Sequence, residues 1–365
     1  MLHIARRMSG GVRVHISQIF RGLDPSSYIH HLITNTSDSD LAYQSKPFCQ
    51  QEVTSIPIVH GSPLTDIINL KRIHNIVRTG NFGIIHGHGT KGGLYARLLR
   101  GVTGSKVIYT PHGGSSHDQS RRAAKVIQSA SETLLARATD AYIFESRYAQ
   151  EQFIKIFGRH DKRFFVNHNG IHIGTMAPNL STSGKPGRFI VGAFGRLESA
   201  KGFDLLIQAI HILLEAGFRE VQCRIFGEGP SFKDLNDLIN SLGISNHVTM
   251  MGYSKDVSGD MAGCDIVVHP SRFDSMPYVP LEAMRAGRAV IATGIGGLPE
   301  LIFDHHNGLL AKPEPEDLAR QIQLLLWNQQ LRLKLAKNGF ARIKQYFSIE
   351  AMLEKLDSIY QSLVD

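Results

Sequence analysis

The 365-residue sequence predicts an α/β protein made of two parallel-sheet halves, and three observations carry that expectation. The length exceeds what one hydrophobic core usually serves, which suggests two domains. Short apolar segments alternate with amphipathic helical segments, the pattern of a parallel sheet covered on both faces. The alternation stops at residues 181–187, STSGKPG, where small residues, glycine and proline cluster without apolar periodicity, and it restarts at Arg188.

In the first half, 1–180, strands are expected at 2–5, 28–34, 53–58, 83–86, 106–109, 141–144 and 163–166. Helices fall between them, notably 64–79 and 118–138. In the second half, 188–345, RFIVGAFG (188–195) is a strand and GFDLLIQAIHILLEAG (202–217) an amphipathic helix. Strands follow at 221–227, 247–252 and 265–270, and SFKDLNDLINSLG (231–243) carries apolar residues at helical spacing. From 314 to 365 the pattern is almost wholly helical, and 346–365 holds a last amphipathic helix.

Composition is that of an ordinary globular protein, 42% hydrophobic and 20% charged. No run of 18 apolar residues suggests a spanning helix, and MLHIARRMSGG lacks the apolar core of a secretion signal, so a cytoplasmic protein is expected. Cys49, Cys223 and Cys264 form neither a disulfide framework nor a zinc pattern and read as reduced thiols. Charge is uneven: +10 over residues 1–180 and −2 over the remainder. A basic half suggests an anionic partner. No nucleic-acid signature accompanies it, so nucleic acid is not expected. An anionic membrane surface fits better, with the protein peripheral on the inner face of the plasma membrane. The basic helix around Arg121, Arg122, Lys125 and Arg137 could face such a surface, or be an ordinary amphipathic helix.

The densest chemistry lies in DIVVHPSRFDSMPYVPLEAMRAGRAVIATGIGG, 265–297. A buried strand runs into a polar loop bearing Asp274, and eight positions later Glu282 is expected to open a short helix. Carboxylates at the carboxyl end of a parallel strand sit where open α/β sheets bind ligands. An ionised carboxylate only accepts hydrogen bonds, which suits sugar hydroxyls. In GRLESAKGFDLL, 195–206, Arg196 and Lys201 flank a glycine-bearing turn at a helix amino terminus, a geometry that suits a diphosphate. Gly10 and Gly11 follow the first strand, and Gly227-Glu228 form a turn after a later one. His86 and His88, two apart on a strand end, lack a third ligand or carboxylate nearby in sequence, so no metal is expected. The pairs His30-His31 and His305-His306 have no chemical context.

This ordered set resembles the retaining glycosyltransferase family 4. The resemblance rests on the acidic-x7-Glu pair, PLEAMRAG, GIGGLPELI, HNGLL at 306–310 and GRLxxxKG at 195–202. It implies the GT-B fold: two Rossmann-like doubly wound domains facing a cleft, the last helix returning to the first domain. It implies a nucleotide diphosphate sugar as donor and no cofactor or metal. The group passes, with retained configuration, to a hydroxyl of a glycan or lipid-linked acceptor. Arg196 and Lys201 would stabilise the departing diphosphate. Glu282 would bind ribose, and Asp274 the donor sugar. Asp274 stands where the family usually has Glu, one methylene and roughly 1.5 Å shorter. Gly10, Gly11, Gly227, Glu228 and the backbone of Ser275, Met276 and Tyr278 would approach the donor. Pro277 lacks an N–H. His112, in TPH, would face the acceptor, where it could take a proton. Asn169-Gly170-Ile171 resembles the turn ending the first domain. The amino-terminal half also resembles enzymes of bacterial surface polysaccharide assembly, whether exopolysaccharide, capsule or lipopolysaccharide. The rival readings are a nucleotide-sugar epimerase or hydrolase on this scaffold, and a sugar-nucleotide-binding protein without turnover.

Overall fold

The computed structural model describes residues 1–6, 10–35, 53–59, 62–102, 104–112, 131–158, 163–174 and 188–364. The segment 181–187, Cys49 and most of the helix expected over 118–138, including Arg121, Arg122 and Lys125, lie outside the described residues. The chain divides into two compact units, Met1–Gly170 with Ile349–Asp365, and Ile171–Ser348. Each is a parallel α/β domain, as the alternation of strand and helix patterns predicts.

The first unit holds a seven-stranded sheet: β1 (Leu2–Ala5), β2 (His31–Asn35), β3 (Val53–Ile56), β4 (Ile84–His88), β5 (Lys106–Thr110), β6 (Ala141–Phe144) and β7 (Arg163–Val166). Their order is β3-β2-β1-β4-β5-β6-β7, every pairing parallel. Helices α1 (Gly10–Gly22), α2 (Pro63–Gly80), α3 (Gly89–Leu98) and α4 (Arg147–Phe157) connect strands. Gly10 and Gly11 are the first residues of α1, Gly10 at φ 56°, so they open a helix instead of forming a separate loop. The last helix of the chain belongs to this unit. Met352, Leu353, Leu356, Ile359, Tyr360 and Leu363 share a core with Ile16, Ile19 and Phe20 of α1 and with strand residues Ile84, Ile108 and Ile143. Gly87, Gly92 and Gly93 mark tight approaches; a Cβ on Gly87 would lie 2.6 Å from the Gly92 carbonyl oxygen, which keeps α3 close on its strand.

The second unit holds a six-stranded sheet: β8 (Phe189–Phe194), β9 (Val221–Phe226), β10 (Val248–Gly252), β11 (Ile266–His269), β12 (Ala289–Thr293) and β13 (Leu309–Ala311), in the order β10-β9-β8-β11-β12-β13. Helices α5 (Phe203–Glu215), α6 (Phe232–Ser241), α7 (Val257–Ala262), α8 (Tyr278–Arg285), α9 (Leu298–Leu301), α10 (Pro315–Trp327) and α11 (Gln329–Tyr346) follow, and Ile349–Val364 is α12. The core runs from β8, β9, β11 and β12 through the apolar face of α5 to α10. Pro277 caps α8, which begins at Tyr278, so Glu282 lies in the second turn and does not open the helix. Proline is favoured at a helix start because its missing N–H would have no intrahelical partner there. Among the described residues no helix is long and apolar enough to cross a membrane.

Candidate active site

In an open α/β sheet the strand order reverses at one point, and ligands bind in the crevice beyond the carboxyl ends of the strands there. In the second unit that point lies between β8 and β11. Lys201 follows β8 and Asp274 follows β11, and the fold brings them into contact across 73 residues of sequence. Three features hold the two loops together. Gly202, at φ 66°, sits so close to the chain that a Cβ would fall 2.1 Å from the Pro270 carbonyl oxygen. Arg272 donates its backbone N–H to the Ala200 carbonyl at 2.8 Å. The Arg272 guanidinium also grips Asp204 at 2.7 and 2.6 Å.

Asp274 is the hub. The Lys201 ammonium donates to Oδ1 at 2.7 Å and Oδ2 at 2.8 Å, the Ser271 hydroxyl donates to Oδ2 at 2.6 Å, and His269 Nε2 lies 2.8 Å from Oδ2. Burial alone would raise the carboxyl pKa. The hydrogen bond and charge of His269, and then the charge of Lys201, outweigh it and hold Asp274 well below the usual carboxylate range. Three of these four contacts fall on Oδ2 and one on Oδ1. Asp274 therefore holds Lys201 in this arrangement, where the sequence suggests a contact with the donor sugar. Arg196 is 46% exposed and pairs through Nε with Glu198 at 2.8 Å, so among the described residues its fork is anchored at one edge.

The turn after β9 packs backbone against backbone on the turn after β8. Leu197 N–H donates to the Glu228 carbonyl at 2.9 Å, and Ser231 N–H to the Leu197 carbonyl at 3.0 Å. A Cβ on Gly227, at φ 148°, would meet the Gly195 carbonyl oxygen at 1.8 Å. The glycines are thus explained by the approach of two loops, and the Glu228 side chain is exposed. Ser275, Met276 and Tyr278 are buried between β11 and α8. Gly297 N–H donates to the Asp274 carbonyl at 3.1 Å, which ties the glycine turn after β12 into the same site. Glu282 is half-buried, and burial raises its pKa against the opposing charge of Arg285.

In the first unit His112 follows β5 in the left-handed region, φ 50°. Its Nδ1 faces a carboxylate oxygen of Glu145, which follows β6, and its Nε2 lies 3.0 Å from His88 Nδ1. Both ring nitrogens are engaged. The structure also supplies what sequence spacing around His86 and His88 does not show, a third imidazole: His3 of β1, buried beside both. Sequence reasoning missed His3, Glu145, His269 and Ser271. A legible signal existed for His269, the polar residue that ends the buried run IVVH five positions before Asp274.

Residues 9–174 match the family described as Glycosyltransferase Family 4, and residues 181–342 match Glycosyl transferases group 1. An uncharacterized glycosyltransferase of Methanocaldococcus jannaschii is 26% identical over 98% of this chain and 95% of its own length. The Escherichia coli UDP-Gal:alpha-D-GlcNAc-diphosphoundecaprenol alpha-1,3-galactosyltransferase is 22% identical over 83% of this chain and 81% of its own. Among solved structures, HepE of Anabaena in complex with UDP-glucose superposes with a TM-score of 0.81 at 22% identity, covering 99% of both chains.

Proposed function

This chain belongs to the glycosyltransferases of family 4 and group 1, and from that premise we propose that it moves a sugar from a nucleotide diphosphate sugar to a hydroxyl with retained anomeric configuration. The observation that carries the proposal is Lys201 held by the partly buried Asp274 at the point where the second sheet reverses its strand order. A fixed ammonium beside a helix amino terminus stabilises the charge that develops on a departing diphosphate. Arg196, tethered at one edge, adds a second cation, and the pair does the work that a divalent metal does elsewhere. Asp274 acts through Lys201. Glu282 binds the ribose hydroxyls, and the backbone of Ser275, Met276 and Tyr278 lies along the sugar and phosphates.

The acceptor is a hydroxyl of a glycan or a lipid-linked glycan, in assembly of a bacterial surface polysaccharide. A relative that acts on a diphosphoundecaprenol-linked sugar and the +10 charge of residues 1–180 both support a lipid-linked acceptor at an anionic membrane surface. Uridine is the first base to test, because HepE binds UDP-glucose. The test is transfer from labelled UDP-hexoses to short lipid-linked glycans, with the anomeric configuration of the product read by NMR. Product of the donor's own configuration supports the reading. Inverted product, or nucleotide release with no acceptor product, overturns it; the second result favours a hydrolase.

A further inference from the structure

We propose that His30, His3, His88 and His112 form a proton conduit through the first unit, ending on the Glu145 carboxylate. The four rings and the acid form one unbroken line. His30 Nδ1 lies 3.2 Å from His3 Nε2, and His3 Nδ1 lies 3.1 Å from His88 Nε2. His88 Nδ1 lies 3.0 Å from His112 Nε2, and His112 Nδ1 bonds Glu145. His30 immediately precedes β2, while His112 and Glu145 follow β5 and β6. The line therefore crosses from the end where the strands start to the end where they stop, the end at which open sheets bind ligands.

The hydrogen bonds have one consistent direction. An ionised carboxylate can only accept, so His112 donates from Nδ1 to Glu145. In a neutral ring the other nitrogen is an acceptor, so His112 Nε2 accepts from His88 Nδ1–H. The same rule makes His88 Nε2 accept from His3, and His3 Nε2 accept from His30. Every ring carries its proton on Nδ1. The line ends on the bare Nε2 of His30, a buried atom with no hydrogen-bond partner among the described residues. Burial and the neighbouring imidazoles keep His3 and His88 well below the ordinary histidine pKa, and burial takes His30 to about 4.

Such a ladder moves one proton without leaving a charged ring. A proton delivered to His30 Nε2 starts the sequence. At each junction the Nδ1–H bond breaks as an Nε2–H bond forms on the next ring, and His112 gives its Nδ1 proton to Glu145. The products are a neutral Glu145 carboxylic acid and four rings protonated on Nε2, and the reverse sequence returns the proton to His30 Nε2. The groups facing the line are the Met1 amino group, His15 of α1, His86 of β4, and Tyr28. His86 is held apart from the line by Thr110 and by Tyr360 of α12, both at 2.8 Å, and Tyr28 bonds Asp357 of α12. The conduit rests on this geometry; its service to the acceptor hydroxyl rests on the transferase reading.

The test is ring 15N NMR of the full chain labelled at histidine, recorded from neutral pH downward. The expected result is Nδ1–H on His30, His3, His88 and His112 at neutral pH, with all four converting together to Nε2–H on acidification. In His3→Phe, His30 should titrate by itself while His88 and His112 still switch together. An Nε2–H ring among the four at neutral pH, or rings that become imidazolium one after another, would overturn the proposal. So would shifts on His3, His86 and His88 that EDTA reverses, since these would mark a bound metal. If His3→Phe does not fold, the wild-type spectra decide alone. A ladder with the expected protonation in a protein that transfers no sugar would sink the transferase reading and leave the conduit standing.

Discussion

Replacing Asp274 by Asn keeps the size of the side chain and removes its charge. Asp274 is 14% exposed and receives Lys201 twice, Ser271 and His269. An Asn oxygen can keep Ser271, but its amide nitrogen cannot accept from Lys201. A hydrogen bond to a charged group contributes about 1.5–3 kcal/mol, and breaking a buried ion pair costs about 3–5 kcal/mol. Lys201 is 24% exposed and can turn towards water, which lowers the cost to about 3 kcal/mol. For a unit of this size that is a fall in Tm of about 6–12 °C. The pH dependence has a definite sign. Asp274 is depressed in the folded state, so its contribution is full above the unfolded carboxylate pKa of about 3.9 and is lost as pH falls through the folded value. Thermal melts of Asp274→Asn, Lys201→Ala and the double variant, at neutral and acid pH, measure the coupling. The wild-type advantage should be full at neutral pH and shrink in acid. A Tm within 1 °C of wild type at neutral pH, or additive single and double effects, would refute the ion-pair account.

Gly202→Ala should lose about 2–4 kcal/mol: the left-handed backbone costs about 1–2 kcal/mol for a non-glycine residue, and the added Cβ lies 2.1 Å from the Pro270 oxygen. Its melt should fall together with donor binding, because the same contact seats Lys201. The first unit should lose stability as pH falls from about 6.5 to 4, since His15 and His30 have folded pKa values lowered to about 4 and bind protons more readily unfolded. Hydrogen exchange on acidification should open its peptides before those of the second unit, and the opposite order would contradict this. Cys223 and Cys264 are buried, with the Cys264 thiol pushed up to about 12, so iodoacetamide should leave both unlabelled until unfolding, as peptide mapping would show. Glu282→Ala should weaken sugar-nucleotide binding about tenfold or more with little change in Tm, read by calorimetry.

The two-domain α/β architecture was legible because strand and helix periodicity are local properties, and β8, β9 and β11 read as short apolar runs, whereas the three-residue β13 is too short to show a pattern. Helices opened by glycine were harder. Gly10-Gly11 and Gly89 through Leu98 carry little apolar periodicity, and their helical state follows from packing on the sheet. The start of α8 was misplaced by four residues because Pro277 reads as a break, although proline suits a helix entry. Within the site, Lys201 and Asp274 were legible singly. Their contact was not, because it depends on Gly202 packing against Pro270 and on the reversal of strand order. The histidine line was invisible for the same reason: His3, His30, His88 and His112 come from four separate segments that only the sheet brings together.

The central claim is that a sugar nucleotide binds beside Lys201 in the second unit. Titration calorimetry of wild type and Lys201→Ala with UDP-, GDP-, ADP- and TDP-sugars tests it most directly. The account predicts saturable binding of one donor class by wild type and loss of most of that affinity in the variant, with the fold intact by circular dichroism. Equal affinity in both proteins, or no binding of any sugar nucleotide by wild type, would contradict it.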